Sequence, residues 1–200
     1  MLYLYDQAIR DDLMKSLDSD NANPNVFITD AENYPGILAQ IQDDTITYPL
    51  ILIKRDDDMA IDTQLAQFTR YQFGVPASID KENNLIYYER ALPVKLSYTV
   101  RILSHNVVDT DEMARELFYK YISMYYLTIR SPYESDRKMR FGLSVDMDAG
   151  IQRESSSAEY LTNGALYQST IRLNTEGCVS LTYTSRHLTR EVMSTDIDIM

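Results

Sequence analysis

An alternation of apolar and polar residues that runs directly into a helical pattern is the sequence feature that most restricts the fold. Between Pro93 and Ile102 every second residue is apolar and the residues between are polar or charged. This pattern predicts an antiparallel-type strand with one covered face and one wet face. An apolar stripe of helical period then continues to about residue 125, which predicts a helix that packs on this strand. Asp109 and Glu112 have the spacing of a capping box, so we expect the helix to begin at Asp109.

The rest of the chain supplies further helices and strands. Residues 4–18 have apolar positions at helical spacing, and the branched apolar residues within Tyr48–Lys54 fit a strand that is buried on both faces. Shorter patterns predict strands at 26–28, 77–80, 85–90, 141–147, 166–173 and 179–183, and helical stretches at 37–42 and 61–73. Because most strands follow one another without long crossover helices, we predict an α+β fold. It has an antiparallel or mixed sheet, two or three helices on one face, and a late β-hairpin between Leu166 and Tyr183.

The length of 200 residues fits one compact domain. We place that domain at residues 1–185 and expect a C-terminal arm over residues 186–200. The polar segment 148–164 is long and carries three consecutive serines, which is typical of a mobile loop.

Charge is distributed unevenly along the chain. The net charge is −11, and residues 1–62 hold 13 Asp and Glu against 4 Lys and Arg. Such an acidic chain repels phosphate, which argues against a protein that binds duplex DNA through a basic stripe. The acidic residues that are candidates for a subunit interface are Asp11, Asp12, Asp56, Asp57 and Asp58.

One local cluster of basic residues stands out against this acidity, and it consists of Arg130, Arg137, Lys138 and Arg140 with Tyr133 among them. It is either a solvated loop before a strand or an electrostatic contact to an acidic neighbour, such as the acidic first third of another copy. The 16 tyrosines, in a chain without tryptophan, add a modest argument for interfaces.

Residue types that carry chemistry are sparse. His105 and His187 have no further ligand at zinc-site spacing, and the single cysteine, Cys178, is expected to be a small buried hydrophobe. The triplet Asp56–Asp58 follows a buried strand, as magnesium ligands do, but consecutive residues cannot all face one metal and a solvated turn is the favoured interpretation. No phosphate-binding glycine loop, nucleophile elbow or membrane-spanning stretch is present in the sequence. We therefore predict a soluble protein that is not an enzyme and that uses no cofactor, small-molecule substrate or membrane.

The order of elements over residues 1–125 resembles that of tailed-bacteriophage tail-terminator and related head-tail completion proteins. The similarity is most detailed where Leu92–Ile102 runs into Asp109–Phe118. This resemblance implies a small α+β subunit that assembles into a ring, usually a hexamer, and that has no catalytic residues. It also implies a place in the virion after assembly in the host cytoplasm, contacts with tail tube or sheath and with neck or connector proteins, and passage of DNA without specific binding. The longer C-terminal part, residues 126–200, departs from the pattern.

Two alternatives remain open. The acidic face could mimic DNA and occupy a basic protein, or Asp56–Asp58 could serve a metal-dependent enzyme.

Overall fold

A computed structural model describes residues 2–16, 25–29, 36–37, 39–40, 48–56, 59–63, 75–80, 85–89, 91–130, 138–155, 166–181 and 189–192. Within these residues the chain forms two helices and thirteen strands. The helices are α1 (Tyr3–Ser16) and α2 (Val107–Tyr121). The strands are β1 (Asn25–Thr29), β2 (Leu50–Arg55), β3 (Ala60–Ile61), β4 (Val75–Asp80), β5 (Leu85–Glu89), β6 (Ala91–Lys95), β7 (Ser97–Ser104), β8 (Tyr125–Arg130), β9 (Lys138–Val145), β10 (Ile151–Ser155), β11 (Tyr167–Glu176), β12 (Cys178–Leu181) and β13 (Thr189–Val192).

The predicted α+β class is confirmed. A mixed sheet has the order β1-β2-β7-β11-β9-β8, with β10 also paired to β11. The β1–β2 pair is parallel, and the other pairs of this sheet are antiparallel. Two smaller sheets have the orders β12-β6-β3 and β13-β5-β4.

The main core lies between the two described helices and one face of the large sheet. Side chains of α1 and α2 pack with the alternate residues of β2, β7, β9 and β11 that point to this face. A second, smaller apolar cluster covers part of the opposite face around Leu50, Leu52 and Leu103. Strand β2 is therefore buried on both faces, as its unbroken apolar run predicts.

The predicted late β-hairpin is wrong. In the described chain β11 and β12 do not pair with each other, since β11 pairs with β7 and β12 pairs with β6. A single residue, Gly177 at φ 75°, separates them, and one residue redirects a strand where a hairpin loop needs at least two. At this bend the Thr175 hydroxyl accepts from the Leu96 amide at 2.9 Å and donates to the Leu96 carbonyl at 3.0 Å. The break between β6 and β7 at Leu96 is thus bonded to Thr175, close to the break between β11 and β12.

A tyrosine of the first helix is tied to this last part of the sheet. The Tyr5 hydroxyl donates to the carbonyl of Val179 and accepts from the Val179 amide, each at 2.9 Å. Its ring also stands edge-on to Phe141, with the ring centroids 4.9 Å apart. Residues 174 positions apart in the sequence are thus held together.

Both predicted ends of the second helix differ from the structure. The helix begins earlier, with Asn106 as N-cap in an extended conformation, and its side chain accepts from the Val108 amide at 3.0 Å. The same side chain donates to Asp109 at 3.0 Å, so Asp109 supports the cap from within the first turn. At the other end the helix stops at Tyr121, and the tyrosine-rich stretch that follows forms β8. Aromatic residues favour strands, which explains why the helical pattern does not continue.

Loss of this cap provides a test of where the helix begins. We expect Asn106→Ala to lower the free energy of unfolding by about 1 kcal/mol, because the Val108 amide loses its acceptor. Asn106→Ser, whose hydroxyl can accept from Val108 and donate to Asp109, should cost no more than about a few tenths of a kcal/mol. Urea denaturation followed by circular dichroism measures both. A larger loss in Asp109→Ala than in Asn106→Ala would show that Asp109 is the effective cap after all.

The polar segment predicted as a mobile loop is partly regular. Residues 151–155 form β10, which pairs with β11, so the prediction is wrong there, while residues 156–165 lie outside the described residues. Within the expected C-terminal arm, Thr189–Val192 forms β13 against β5. The helical stretch predicted from residue 61 has a strand, β3, at its start, and residues 64–74 lie outside the described residues. Neither of the two described helices is long and apolar enough to span a bilayer.

Candidate functional site

The basic cluster found in the sequence lies on the edge strand pair of the large sheet. Strand β8 is the last strand of the sheet order, and its partner is β9. Leu127 and Ile129 of β8 pack on the core, so the alternate residue Arg130 points to the face away from the helices. By the same alternation Lys138 and Arg140 of β9 point to that face, and all three cations are exposed. We call Arg130, Lys138 and Arg140 the basic edge; Tyr133 and Arg137 lie outside the described residues.

An aromatic ring holds one member of the basic edge in position. The guanidinium of Arg140 lies over the ring of Tyr126, 4.0 Å from its centroid. Tyr126 is opposite Gly142 in the β8–β9 register, so the pair is diagonal across the two strands. The cation–π contact orients Arg140 while its charge stays open to solvent.

The basic edge places like charges close together. Arg130 and Lys138 are directly opposite each other in the β8–β9 register. Like charges in this arrangement destabilise a sheet. None of the three cations forms an ion pair with a carboxylate in the part of the chain that the structure describes. An anionic ligand or partner would relieve this repulsion.

Further cations lie on the same face of the sheet, but some distance away. Lys54, Arg101 and Arg172 alternate with core residues of β2, β7 and β11 and therefore point away from the helices. In the antiparallel β11–β9 register Leu173 is opposite Val145, so Arg172 is level with residue 146. Residue 146 is six positions along the chain from Arg140. That spacing corresponds to roughly 20 Å along the strands. The basic edge is thus a separate cluster.

Five of the 13 acids of the first third lie among the described residues. Each of the five carboxylates of residues 1–62 whose surroundings are described has a bonding partner within the chain. Asp6 accepts two hydrogen bonds from Arg55, at 2.8 and 3.0 Å, and one from Tyr98 at 2.8 Å. Burial raises the pKa of Asp6, while the hydrogen bond from Tyr98 and the charge of Arg55 act in the opposite direction. This carboxylate stabilises the junction of α1 with the sheet.

The candidate residue Asp12 is also engaged inside the subunit. Its carboxylate pairs with Lys120 of α2 at 2.6 Å and accepts a hydrogen bond from Tyr121. Lys120 contacts Ser16 as well, so this group joins the ends of the two helices. Burial, followed by the bond to Asp12, raises the pKa of Tyr121, which keeps the phenol protonated as donor.

The other described acids of the first third also have partners within the chain. Asp11 pairs with its neighbour Arg10 at 2.9 Å on the exposed side of α1. Asp62 is 4.0 Å from Lys95, and Asp56 accepts a hydrogen bond from Thr99 at 3.0 Å. Asp57 and Asp58 lie outside the described residues. Among the residues that are described, no group of three His, Cys, Asp or Glu side chains is arranged to hold a metal ion.

The single cysteine is a core residue, as its sequence context predicts. Cys178 is fully buried at the start of β12. Burial raises the pKa of its thiol to about 12, although a hydrogen bond with Thr175 acts in the opposite direction. At neutral pH the thiol is protonated, and it is therefore a poor nucleophile.

The second helix carries an acidic surface that was not among the sequence-based predictions. Ala114, Leu117 and Tyr121 of α2 face the core. The opposite side of the helix carries Asp109, Glu112 and Glu116, three and four residues apart and all exposed. We call these three residues the acidic stripe. The same apolar period that predicts the helix also defines its outer side, so a helical projection of the sequence could have identified the stripe.

The acidic stripe and the basic edge belong to different layers of the subunit. The stripe lies on the outer side of the helix layer, and the basic edge lies on the sheet face that points away from the helices. Within the described chain, none of their carboxylates and cations pairs with one another. One subunit therefore presents two surfaces of opposite charge in different directions.

A scan against models of known protein families finds no match, and a search of curated proteins finds none either.

Proposed function

We propose that this chain is a non-enzymatic structural subunit of a phage particle, a tail-terminator or neck-type protein that forms a ring joining the tail to the head. The observation that carries the proposal is the pair of oppositely charged surfaces on different layers of the subunit. A ring is built from heterologous contacts, in which one surface of each subunit meets a different surface of the next. A subunit with two complementary surfaces meets that requirement.

Two further points support this function. The resemblance that we draw from the sequence between residues 92–118 and tail-terminator or head-tail completion proteins falls on β7 and most of α2, the helix that bears the acidic stripe. The net charge of −11 opposes retention of phosphate backbones, as suits a ring through which DNA passes without specific binding. The partners are then other copies of the chain, the tail tube or sheath, and the neck or connector, and the site of action is the virion.

The size of the purified protein tests this proposal. We expect light scattering after gel filtration at micromolar concentration to give the mass of an oligomer, a whole-number multiple of the 23.1 kDa monomer mass that is greater than one. Negative-stain electron microscopy of the same fraction should show closed rings. A chain that stays monomeric at all concentrations, also with tail and neck proteins present, would overturn the proposal. If that monomer displaced DNA from a basic protein, the DNA-mimic alternative would replace it.

A further inference from the structure

We infer that the basic edge of one subunit docks on the acidic stripe of the next copy and forms the contact that closes the ring. This inference rests on the proposed function, because it names the surfaces through which the proposed ring assembles. The acidic stripe serves here as the complementary surface in place of the described acids of the first third. Asp6 and Asp12, the most buried carboxylates of α1, are already bound within their own subunit.

The two surfaces agree in charge. Three cations on the basic edge meet three carboxylates on the stripe. Within the described chain neither set has ion-pair partners of its own. The repulsion between Arg130 and Lys138 is unfavourable in a free subunit and would be relieved when carboxylates approach.

The two surfaces also agree in size. Asp109 and Glu116 are seven residues apart on α2, which spans roughly 10 Å along the helix axis. Lys138 and Arg140 are two residues apart on β9, roughly 7 Å, and Arg130 lies about 5 Å away on the neighbouring strand. A helix laid along the strand pair would bring each carboxylate near a cation.

Exposed apolar side chains border both charge clusters. Tyr119, which is 72% exposed, follows the acidic stripe along α2, and Tyr126, which is 54% exposed, lies beside Arg140. Tyrosine is enriched in protein–protein interfaces, where its ring adds contact area and its hydroxyl adds a hydrogen bond. This composition and the acidic complement favour another copy of the chain over nucleic acid as the partner.

Charge reversal tests the contact. We expect Arg130→Glu with Lys138→Glu to lower the association constant about tenfold or more, and Glu112→Lys with Glu116→Lys to do the same. The chain with all four substitutions should regain assembly, because the two surfaces are again complementary. An equimolar mixture of the two reversed chains should also assemble, with the two kinds alternating.

A matched control separates local contact from net charge. Lys54→Glu with Arg172→Glu makes the same change in charge on the same sheet face, but roughly 20 Å from the basic edge. We expect this variant to assemble like the unaltered chain. Circular dichroism verifies that each variant is folded, and light scattering measures association.

The possible results distinguish this inference from the proposed function. Suppose that the unaltered chain forms rings. If neither charge reversal weakens these rings, or if the chain with all four substitutions stays dissociated, the docking inference is wrong and the ring proposal stands. If the unaltered chain does not associate at all, both fail. If a duplex DNA oligonucleotide binds the unaltered chain and Arg130→Glu with Lys138→Glu abolishes that binding, the basic edge is a nucleic-acid surface instead.

Discussion

At pH 7, Arg55→Met is expected to lower the free energy of unfolding by about 2 kcal/mol, because the Asp6 carboxylate is left without its cation. The Asp6 side chain is only 10% exposed, so water cannot take over this role. Arg55 itself is 34% exposed, which reduces the effect below that of a fully buried pair. Tyr98 remains as a donor and limits the loss further.

The loss in free energy of unfolding caused by Arg55→Met, which we call the deficit, should depend on pH. Burial raises the pKa of Asp6 and Arg55 opposes that rise, so the pKa is higher still in the variant. The native state of the variant then binds a proton at a pH where the unfolded chain, with a pKa of about 4, has released it. Its stability therefore falls as the pH rises from about 4 through the raised pKa. We expect the deficit to shrink in acid and to be full at neutral pH.

Urea denaturation over the range from about pH 4 to pH 7 measures this effect. Arg10→Met is the matched control, because its exposed pair with Asp11 should contribute between zero and about 1 kcal/mol. Adding Asp6→Asn to Arg55→Met should remove most of the pH dependence. A deficit that stays constant over the whole range would contradict the assignment of Arg55 as the partner that keeps Asp6 charged.

Phe141→Ala is expected to lower the free energy of unfolding by about 4 kcal/mol, the largest effect of a single substitution that we predict. The Phe141 side chain is 2% exposed and lies in the main core between the sheet and the helices. Its removal leaves a cavity and also withdraws the edge-to-face contact with Tyr5. Because Tyr5 joins α1 to β12, the loss should extend to the first helix.

Phe141→Leu is the control for this substitution, since it keeps much of the volume and should cost under about 1.5 kcal/mol. Thermal and urea unfolding can be followed by tyrosine fluorescence, because the chain has 16 tyrosines and no tryptophan. Equal losses for the alanine and leucine variants would show that volume at this position does not matter. That result would contradict the core described above.

The elements with a clear period were predicted well from the sequence. The alternation in β7, the apolar run of β2 and the stripe of α1 each depend on local spacing, and the structure has all three. The stretch after Tyr121 was assigned to the wrong element, because its tyrosines fit the stripe of a helix and the face of a strand equally well. Local pattern could not decide between them.

Pairing over long distances was beyond the reach of the sequence. The predicted late hairpin joined neighbouring strands, whereas β12 pairs with β6, more than 80 residues away. The position of Arg130 opposite Lys138 depends on the pairing of β8 with β9, and β8 was not among the predicted strands. Arg130, Lys138 and Arg140 lie close together in the structure, but the face they share was not predicted.

Counting acids could not distinguish open carboxylates from bound ones among the described residues. A carboxylate counts equally in composition whether it is exposed or bound. The count for residues 1–62 includes Asp6, Asp12 and Asp62, which lie in or near the core and have partners there. Only the contacts of Arg55, Tyr98 and Lys120 reveal which acids are neutralised. The open carboxylates on α2 belong to a segment whose overall charge is nearly balanced.

The bond between Tyr5 and Val179 bears on the order in which the chain can fold during synthesis. Helix α1 is synthesised long before β12, yet its tyrosine hydroxyl has its partners on that strand, 174 residues later in the chain. Strand β7 must similarly wait for β11. Contacts so distant in sequence make folding slow, and they leave apolar surface exposed until they form. The Tyr5 hydroxyl therefore lacks these partners until β12 has been translated, and a product truncated before β12 lacks the strand that completes this contact.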